Sequence, residues 1–264
     1  MRVVYGVNPV RELLAAEGEG PAEVWVAEGG VRGGTLGELA RAARSRGAKV
    51  RAAPRARLDR LAGTDRHQGV VAVVADYRYA PLGELLACAA GPAAPLLVVL
   101  DGVEDPHNLG AVIRSALALG AQGVVIPRDR AVGVTPAVAK ASAGAVERCR
   151  VARVVNLAQT LGALKEAGIW SVALVQDARR PLGSLDLRGP TALVLGSEGE
   201  GLRPLVRRSC DLEARIPMSG DLESLSVSAA AAISLYEAAR QRGSPAGFDQ
   251  GSTRSRDSVV DKTP

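Results

Sequence analysis

Aromatic side chains are scarce in this sequence, at 3% of its 264 residues. A protein that reads single-stranded nucleic acid by stacking bases on many aromatic rings is therefore not indicated. The hydrophobic content is nevertheless 47%, and much of it is Ala, Val and Leu. That content supports a sizeable core, and the length allows one large domain or two modest ones.

Cysteine and histidine are also few. Cys88, Cys149 and Cys210 lie far apart without CxxC spacing, which argues against a disulfide framework and against a zinc site. His67 and His107 are the only histidines, and neither has a metal-ligand neighbour at helical spacing. We therefore expect no Ser-His-Asp arrangement and no metal centre, and we interpret each histidine as a hydrogen-bonded structural residue.

Long apolar runs are missing. No segment approaches the ~18 apolar residues that a membrane-spanning helix needs. The first residues, MRVVYGVNPV, lack the long apolar stretch of a signal peptide. We therefore expect a cytoplasmic protein without a membrane partner.

Basic residues are in excess, and the formal net charge is +5. Most of them are arginines, whose planar guanidinium suits phosphates and base edges. The excess indicates a polyanionic partner, although a GC-rich genome would enrich arginine codons in the same way.

The densest basic stretch lies in the first third of the chain, where basic residues greatly outnumber the nearby Glu38 and Asp59. We interpret it as an RNA-gripping surface, and a solvated helix face is the alternative. The stretch comprises Arg32, Arg41, Arg44, Arg46, Lys49, Arg51, Arg55, Arg57 and Arg60. The candidate RNA-binding residues among them are Arg41, Arg44 and Arg51.

Residues 1–76 are predicted to form a small α/β unit. Asn8 and Pro9 suit the N-cap and first position of one helix, and Thr35 can cap a second helix that Gly47 ends. The predicted elements are a helix over 10–16, a strand over 24–27, a helix over 35–43 and a strand over 70–75.

Residues 77–95 are predicted to link this unit to a second one. A short helix is predicted over 82–90, and the cluster GPAAP at 91–95 is typical of an interdomain linker.

Residues 96–243 alternate between short apolar strands and helices, which predicts a parallel sheet with helices on both faces. The predicted strands are 96–101, 123–127, 150–154, 169–175, 191–196 and 212–218. The predicted helices are 108–119, 136–146, 157–167, 201–209 and 224–242. The polar, aperiodic residues 244–264 are predicted to be a disordered tail.

Three loops that follow predicted strands concentrate Gly, Pro and polar residues, at 101–116, 195–202 and 216–237. Because ligands of open α/β sheets bind beyond the carboxyl ends of the strands, we expect these loops to meet at one site. In the first loop Asn108 can cap the helix that follows. Arg114 lies two turns into that apolar helix, so its guanidinium needs a partner there. The alternative is a structural salt bridge or a snorkelled side chain that reaches solvent.

The second loop reads LGSEGEGL and matches neither GxGxxG nor a Walker loop. Glu198 and Glu200 would repel a phosphate, so they suit a cationic ligand or the orientation of a polar network. The third loop delivers Ser224, Ser226 and Ser228 into a helix. A well-capped structural helix would explain that serine pattern equally well.

Together these loops closely resemble the three motifs of the SpoU/TrmH family of SPOUT RNA 2′-O-methyltransferases, in the family's order. The matching stretches are DPHNLG at 105–110 with Arg114, LGSEGEGL at 195–202, and IPMSG at 216–220 with SLSVS at 224–228. The resemblance covers roughly residues 96–242. In addition, YGVNPV at 5–10 and HQGVVA at 67–72 resemble the L30e-like RNA-binding extension of RlmB-type members.

The resemblance implies an α/β fold in which a trefoil-knotted SPOUT domain follows a small L30e-like domain. It also implies a homodimer whose interface includes the last helix. The implied activity is S-adenosylmethionine-dependent 2′-O-methylation of a guanosine in the P loop of 23S rRNA, with that rRNA or its assembly particle as partner.

The resemblance also assigns residues. The cofactor pocket would use Gly196, Ile216 and Leu225. The catalytic and RNA-facing positions would be Asn108, Arg114, Glu198, Ser224 and Ser226.

One position departs from the family pattern, which usually has Asn where this chain has Ser226. A hydroxyl is shorter than a carboxamide and offers fewer hydrogen bonds, which bears on catalytic rate or substrate alignment. Two other functions stay open. One is the same chemistry on tRNA or on an rRNA adenosine, and the other is a non-catalytic RNA-binding or ribosome-assembly factor.

Overall fold

Two β-sheets organise the chain, and the computed structural model describes residues 1–18, 20–30, 33–219 and 224–243. A four-stranded sheet belongs to the first third and a six-stranded sheet to the remainder. Arg32 of the basic stretch, Gly220 of the third motif and the predicted disordered tail lie outside the described residues.

The first sheet has the strand order β1-β4-β2-β3, and only the pairing of β2 with β3 is parallel. Its strands are β1 (Arg2–Tyr5), β2 (Glu23–Ala27), β3 (Lys49–Ala53) and β4 (Val70–Val74). Its helices are α1 (Val7–Ala15), α2 (Gly34–Ser45) and α3 (Arg55–Ala62). Successive side chains of a strand face opposite ways. Val24 and Val26 accordingly pack with α1 and α2, whereas Trp25 and Ala27 pack with α3 on the other face.

Three elements of this unit were not predicted: β1, β3 and α3. β3 reads KVRAA at the sheet edge and leaves most side chains exposed, and α3 fully buries only Leu58, so neither shows a clear apolar period. The predicted N-caps Asn8 and Thr35 are wrong. α1 begins at Val7, so that Asn8 lies inside its first turn, and α2 begins one residue before Thr35.

The second sheet is parallel throughout, with the strand order β10-β8-β9-β5-β6-β7. Its strands are β5 (Leu96–Asp101), β6 (Gly123–Pro127), β7 (Arg150–Val154), β8 (Trp170–Leu174), β9 (Thr191–Gly196) and β10 (Leu212–Ala214). The predicted bounds of β5, β6, β7 and β9 are confirmed. Buried apolar runs with abrupt ends mark β5, β6 and β9 as interior strands of a parallel sheet, whereas β7 lies at the edge and exposes Arg150 and Arg153.

Helices cover both faces of this sheet, which confirms the predicted α/β class. The described helices here are α4 (Leu82–Ala87), α5 (Pro106–Ala118), α6 (Pro136–Ala141), α7 (Leu157–Glu166), α8 (Pro204–Ser209) and α9 (Val227–Gln241). One core contains Val112 of α5, Val138 of α6 and Ala231 of α9, and the opposite core contains Leu85 of α4 and Leu161 of α7. Within the described ranges, no helix is long and apolar enough to cross a membrane.

Two predicted elements, α6 and β10, are shorter by four or more residues, whereas β8, α8 and α9 differ from their predicted bounds by one to three residues at an end. α6 ends at Ala141, because Ala143 and Gly144 adopt positive φ angles of 52° and 92° that interrupt the helix. β10 ends at Ala214, opposite Leu174, where its only described strand partner β8 also ends.

The order of the central strands differs from their order along the chain. β9 pairs with β8 on one side and with β5 on the other, so a late strand occupies the middle of the sheet. The trefoil knot implied by the family resemblance stays a prediction.

The segment predicted to join the two units packs against the second one. The Tyr77 hydroxyl donates to the carbonyl of Val146 at 3.3 Å, Ala80 forms a parallel bridge to Ala152 of β7, and Leu85 is fully buried. A largely buried ion pair between Arg2 and Glu147 also ties the first unit to the second.

Candidate functional site

A cleft of about 510 Å³ opens at the carboxyl ends of β8 and β9, and we call it the main cleft. Its walls come from the ends of these strands, the loop after β9, and the segments before and after the undescribed residues 220–223. Five predicted site residues line it, namely Gly196, Glu198, Ile216, Ser224 and Leu225. The expectation that the second and third loops meet is therefore confirmed.

A smaller depression of about 310 Å³ adjoins the main cleft, and we call it the side pocket. Asn108 and Asp105 of the first loop line it, and it shares Ser197, Glu198 and Glu200 with the main cleft. All three predicted loops thus meet around two connected spaces.

The loop after β9 folds back tightly on itself. Ser197 and Gly201 exchange backbone hydrogen bonds of 3.2 and 3.0 Å. A Cβ added at Gly196 would lie 2.0 Å from the carbonyl carbon of Gly201, so no side chain fits there. Gly199 and Gly201 have φ angles of 87° and 67°, a left-handed conformation that favours glycine. The glycine spacing therefore lets the backbone itself form one wall of the main cleft.

Asp101 holds this loop against the end of β5, a role that was not predicted. The buried carboxylate at the end of β5 accepts the backbone N–H of Arg203 at 2.9 Å and its Nε–H at 2.7 Å. A buried carboxylate requires such partners. The signal was an aspartate at the end of the otherwise apolar run LLVVLD.

A hydrogen-bond network joins the three loops. The Asn108 carboxamide donates to Glu198 Oε1 at 2.9 Å and accepts from the Ser228 hydroxyl at 2.9 Å. The Ser228 hydroxyl also lies 3.1 Å from that of Ser226. The backbone N–H of Val227 donates to the same Glu198 oxygen at 3.3 Å. Asn108 is thereby held with a fixed orientation at the boundary between the two spaces.

Asn108 is free for this network because it does not cap α5. The cap is Asp105, whose carboxylate accepts the backbone N–H of His107 at 2.9 Å. The predicted capping role of Asn108 is therefore wrong, since α5 begins at Pro106, two residues earlier.

Arg114 points to solvent from an otherwise buried part of α5. Its neighbours Val112, Ile113 and Ala116 are buried, but Arg114 itself lies on the exposed face of α5. Within the described part of the chain it makes no hydrogen bond or ion pair and lines neither the main cleft nor the side pocket. The guanidinium is solvated, so a partner is not needed, and the position agrees with the alternative of a side chain that reaches solvent.

The main cleft is acidic. Arg207 lines it, but this guanidinium is paired with Asp177 at 3.0 Å and with both oxygens of Glu213 at 2.7 Å. The hydrogen bond from Arg207 holds the pKa of Asp177 below its usual range. Glu198 and Glu200 therefore add uncompensated negative charge, which favours a cationic ligand.

The candidate RNA-binding arginines are all exposed, but they do not share one surface. Arg41 and Arg44 belong to α2 on one side of the first sheet. Arg51 belongs to β3 and lies over the ring of Trp25, which packs with α3 on the opposite side. The expected single surface is therefore divided between two faces.

His67, Cys149 and Cys210 have surroundings typical of structural residues. His67 is buried between Asp59, 2.8 Å from its Nε2, and the backbone N–H of Gly69, 3.0 Å from its Nδ1, which fits a structural role. Burial raises the pKa of the Cys149 and Cys210 thiols to about 12. Among the described residues, no group of three or more His, Cys, Asp or Glu side chains could hold a metal ion.

Family models match both units of the chain. The model of the SpoU rRNA Methylase family matches residues 95–236, more than half of the chain. A second model, for RNA 2′-O ribose methyltransferase substrate binding, matches residues 3–80.

Two named relatives match over most of their length. The chain is 46% identical over 242 residues to the 23S rRNA (guanosine-2′-O-)-methyltransferase RlmB of Xylella fastidiosa, covering 90% of this chain and 96% of that protein. It is 43% identical over 242 residues to the RlmB protein of Ralstonia nicotianae, covering 91% and 96%.

Solved structures agree with this relationship. The SpoU methyltransferase AviRb from Streptomyces viridochromogenes, in complex with AdoMet, superposes with a TM-score of 0.75 at 28% identity, covering 91% of this chain and 90% of that one. The AdoMet-bound rRNA methyltransferase from Sinorhizobium meliloti gives 0.75 at 25% identity, covering 92% and 88%. The chain therefore belongs to the SpoU rRNA methylase family of RNA methyltransferases.

Proposed function

We propose that this protein transfers a methyl group from S-adenosylmethionine to the ribose 2′-oxygen of a guanosine in the P loop of 23S rRNA. The observation that carries the proposal is the network of Asn108, Glu198 and Ser228, which joins all three motif loops at the boundary between two connected spaces. The names of the 43–46% identical relatives support the guanosine and the 23S rRNA. An rRNA substrate implies action in the cytoplasm.

The main cleft suits S-adenosylmethionine chemically. Leu195, Ile216 and Leu225 offer apolar contacts, and the loop after β9 offers backbone polar groups beside them. Glu198 and Glu200 supply negative charge for a sulfonium cation. When bound, this cofactor supplies an electrophilic methyl group. We assign Gly196, Ile216 and Leu225 to its binding, largely through backbone groups.

The side pocket suits the nucleoside that is methylated. Asn108 and Glu198 lie between the two spaces, and their mutual hydrogen bond leaves the second carboxylate oxygen of Glu198 able to accept from a ribose hydroxyl. We propose that they align the 2′-hydroxyl with the cofactor in the main cleft. Correct placement of the two reacting groups contributes a large part of the rate enhancement. Ser224 lines the main cleft, where we propose that it contacts the reacting groups. Ser226 hydrogen-bonds to Ser228, and we propose that it thereby helps to position Asn108.

Arg114 is proposed to anchor a phosphate of the incoming RNA. Within the described residues it lines neither space of this chain, so its proposed role as stabiliser of the oxyanion on the ribose requires that RNA binding or a second subunit brings the two together. A guanidinium is a poor general base because its pKa exceeds ~12. Its solvated position on α5 leaves it free for an incoming RNA. The exposed Arg41, Arg44 and Arg51 of the first unit are proposed to hold more distant parts of that RNA, either in free rRNA or in an assembly particle.

A labelling experiment tests the proposal directly. The purified full chain is incubated with methyl-labelled S-adenosylmethionine and, separately, unmodified 23S rRNA, 16S rRNA and tRNA, and every 2′-O-methyl nucleotide is mapped. We expect one guanosine in the 23S P loop. Label confined to tRNA or to another rRNA position would disprove the target and preserve the chemistry. Cofactor binding without label on any free RNA or on assembly particles would favour a non-catalytic RNA-binding factor.

A further inference from the structure

A loop that the three motifs do not include borders the side pocket. This rim loop, residues 128–134, follows β6 and packs against the first motif loop. The backbone N–H of Val132 donates to the carbonyl of Val103 at 2.9 Å. The carbonyl oxygen of Arg130 lies 4.0 Å from the position that a Cβ on Gly102 would occupy. Gly102 and Val103 line the side pocket. The backbone of Arg130 is therefore closer to that pocket than the length of an extended arginine side chain.

Arg130 has a backbone conformation that few non-glycine residues adopt, with φ at 55°. Such a conformation persists only where the surrounding structure fixes it, and it is common at ligand-binding sites. Here the rim loop is fixed from outside. Arg153 donates to the carbonyl of Arg128 at 2.7 Å, and the Val134 N–H donates to the Tyr79 hydroxyl at 2.8 Å. An arginine is thus held at a position where glycine would be less strained.

The side pocket is lined by acidic side chains, so an RNA phosphate beside it needs a cation to offset the repulsion. Glu104, Asp105, Glu198 and Glu200 line it, and no lysine or arginine does so among the described residues. A nucleotide whose ribose enters the side pocket carries phosphates on both sides, and these carboxylates repel them. Arg130 is exposed and has no ion pair or side-chain hydrogen bond within the described ranges.

We propose that Arg130 binds a backbone phosphate next to the methylated nucleotide and so positions the ribose in the side pocket. This inference rests on the proposed function and adds a specific RNA-binding residue to it. Arginine suits the task because its guanidinium can offer two parallel donors to one phosphate.

Four variants separate the charge of Arg130 from its backbone role. Arg130→Ala removes the charge and keeps a side chain at φ 55°, whereas Arg130→Gly removes the charge and relieves the backbone. Arg130→Lys keeps the charge. Arg128→Ala is the matched control, because Arg128 is an exposed arginine of the same loop whose Nε lies 3.7 Å from Asp129.

The readouts are steady-state methylation of the labelled RNA, the salt dependence of RNA binding, and calorimetric binding of S-adenosylmethionine. We expect Arg130→Ala and Arg130→Gly to raise KM for RNA by about ten- to a hundredfold, the effect of one charge-assisted hydrogen bond. The salt slope should fall by about 0.7. Cofactor affinity should stay unchanged in all four variants, and Arg130→Lys should recover most of the KM.

A wild-type KM in Arg130→Gly would overturn the proposal, because only the backbone of Arg130 would then matter. An equal defect in Arg128→Ala would also overturn it, since any loop cation would serve. If the wild-type protein methylates only tRNA, the proposed rRNA target fails. The same KM comparison on that tRNA then still decides the role of Arg130.

Discussion

At the scale of single residues, contacts that follow from motif spacing were predicted, and contacts that depend on packing between distant elements were not. Glu198 and Asn108 were expected near one site on the strength of motif spacing, and the structure joins them by a 2.9 Å hydrogen bond. The partner of Arg114 could not be predicted correctly, because an apolar helix sequence does not reveal which face lies against the sheet until the neighbouring helices are in place. Asp101 was missed for the related reason that its partner Arg203 is 102 positions away.

Removing the Arg114 charge should slow methyl transfer strongly. We expect Arg114→Ala to lower the single-turnover rate by at least ~10²-fold, the scale for loss of an electrostatic donor to a developing oxyanion. Its solvated position predicts little change in melting temperature. Rapid-quench measurement of labelled RNA checks the rate, and near-normal turnover would show that Arg114 has no part in the reaction.

The glycine at the end of β9 should be essential for cofactor binding. In Gly196→Ala the new methyl group would clash with the carbonyl carbon of Gly201 at 2.0 Å, so the loop that walls the main cleft must move. We expect a loss of S-adenosylmethionine affinity of at least ~10-fold by calorimetry, equivalent to about 1.4 kcal/mol. Gly162→Ala is the control, because Gly162 lies inside α7 with open space around it. That change should raise the melting temperature and leave the affinity unchanged.

At the scale of elements, the third motif shows why a helix begins where it does. α9 begins at Val227 because the Ser226 hydroxyl caps it, accepting the backbone N–H of Ala229 at 3.2 Å. The predicted helix began at residue 224, since the serines alone do not identify the cap. Serine and asparagine cap helices about equally well, so the departure from the family pattern at Ser226 preserves the helix start.

Two substitutions at Ser226 separate capping from catalysis. Ser226→Ala should lower the free energy of unfolding by about 1 kcal/mol, whereas Ser226→Asn should leave it nearly unchanged. Chemical denaturation measures both. If Ser226→Asn also raises the methylation rate, the longer carboxamide adds alignment that the hydroxyl lacks. A loss of stability in Ser226→Asn as large as in Ser226→Ala would contradict the capping interpretation.

The basic helix α2 should contribute more to RNA binding than the basic strand β3. Arg41 and Arg44 are exposed and have no ion pair in the described part of the chain, whereas Arg51 is already paired with Glu23 at 3.1 Å. We expect Arg41→Ala with Arg44→Ala to lower the salt slope of RNA binding by about 1.4, at about 0.7 per phosphate contact. Arg51→Ala should lower it less. An unchanged slope in the double variant would mean that α2 is only a solvated face.

At the scale of the whole molecule, the sequence predicted the parallel sheet more fully than the first unit. Buried strands such as LLVVLD and TALVLG are apolar except at an end, and that pattern is visible in the sequence alone. The edge strand β3 carries exposed Lys49 and Arg51, so only pairing with β2 reveals it. The position of β9 between earlier strands could not be predicted, since local patterns carry no information on strand order.

We expect the last helix to mediate the homodimer that the family resemblance implies. Ile233 and Tyr236 lie one turn apart on the outer face of α9 and are 42% and 61% exposed, which is unusual for large apolar side chains on one helix. We expect Tyr236→Glu to give a monomeric mass by light scattering at micromolar concentration, and Tyr236→Phe to keep the dimer. A dimeric Tyr236→Glu protein would place the interface elsewhere.

The central position of β9 also has a consequence for how the protein is made. During synthesis, β5, β6, β7 and β8 leave the ribosome before β9 does. Until β9 emerges, the edges of β5 and β8 that pair with it stay unpaired. Contacts between distant parts of a chain form slowly, and exposed apolar edges invite aggregation. The loop that walls the main cleft directly follows β9. The nascent chain therefore cannot complete its core or the main cleft until β9, the loop after it and α9 have all emerged, and any fragment that ends before residue 196 has neither.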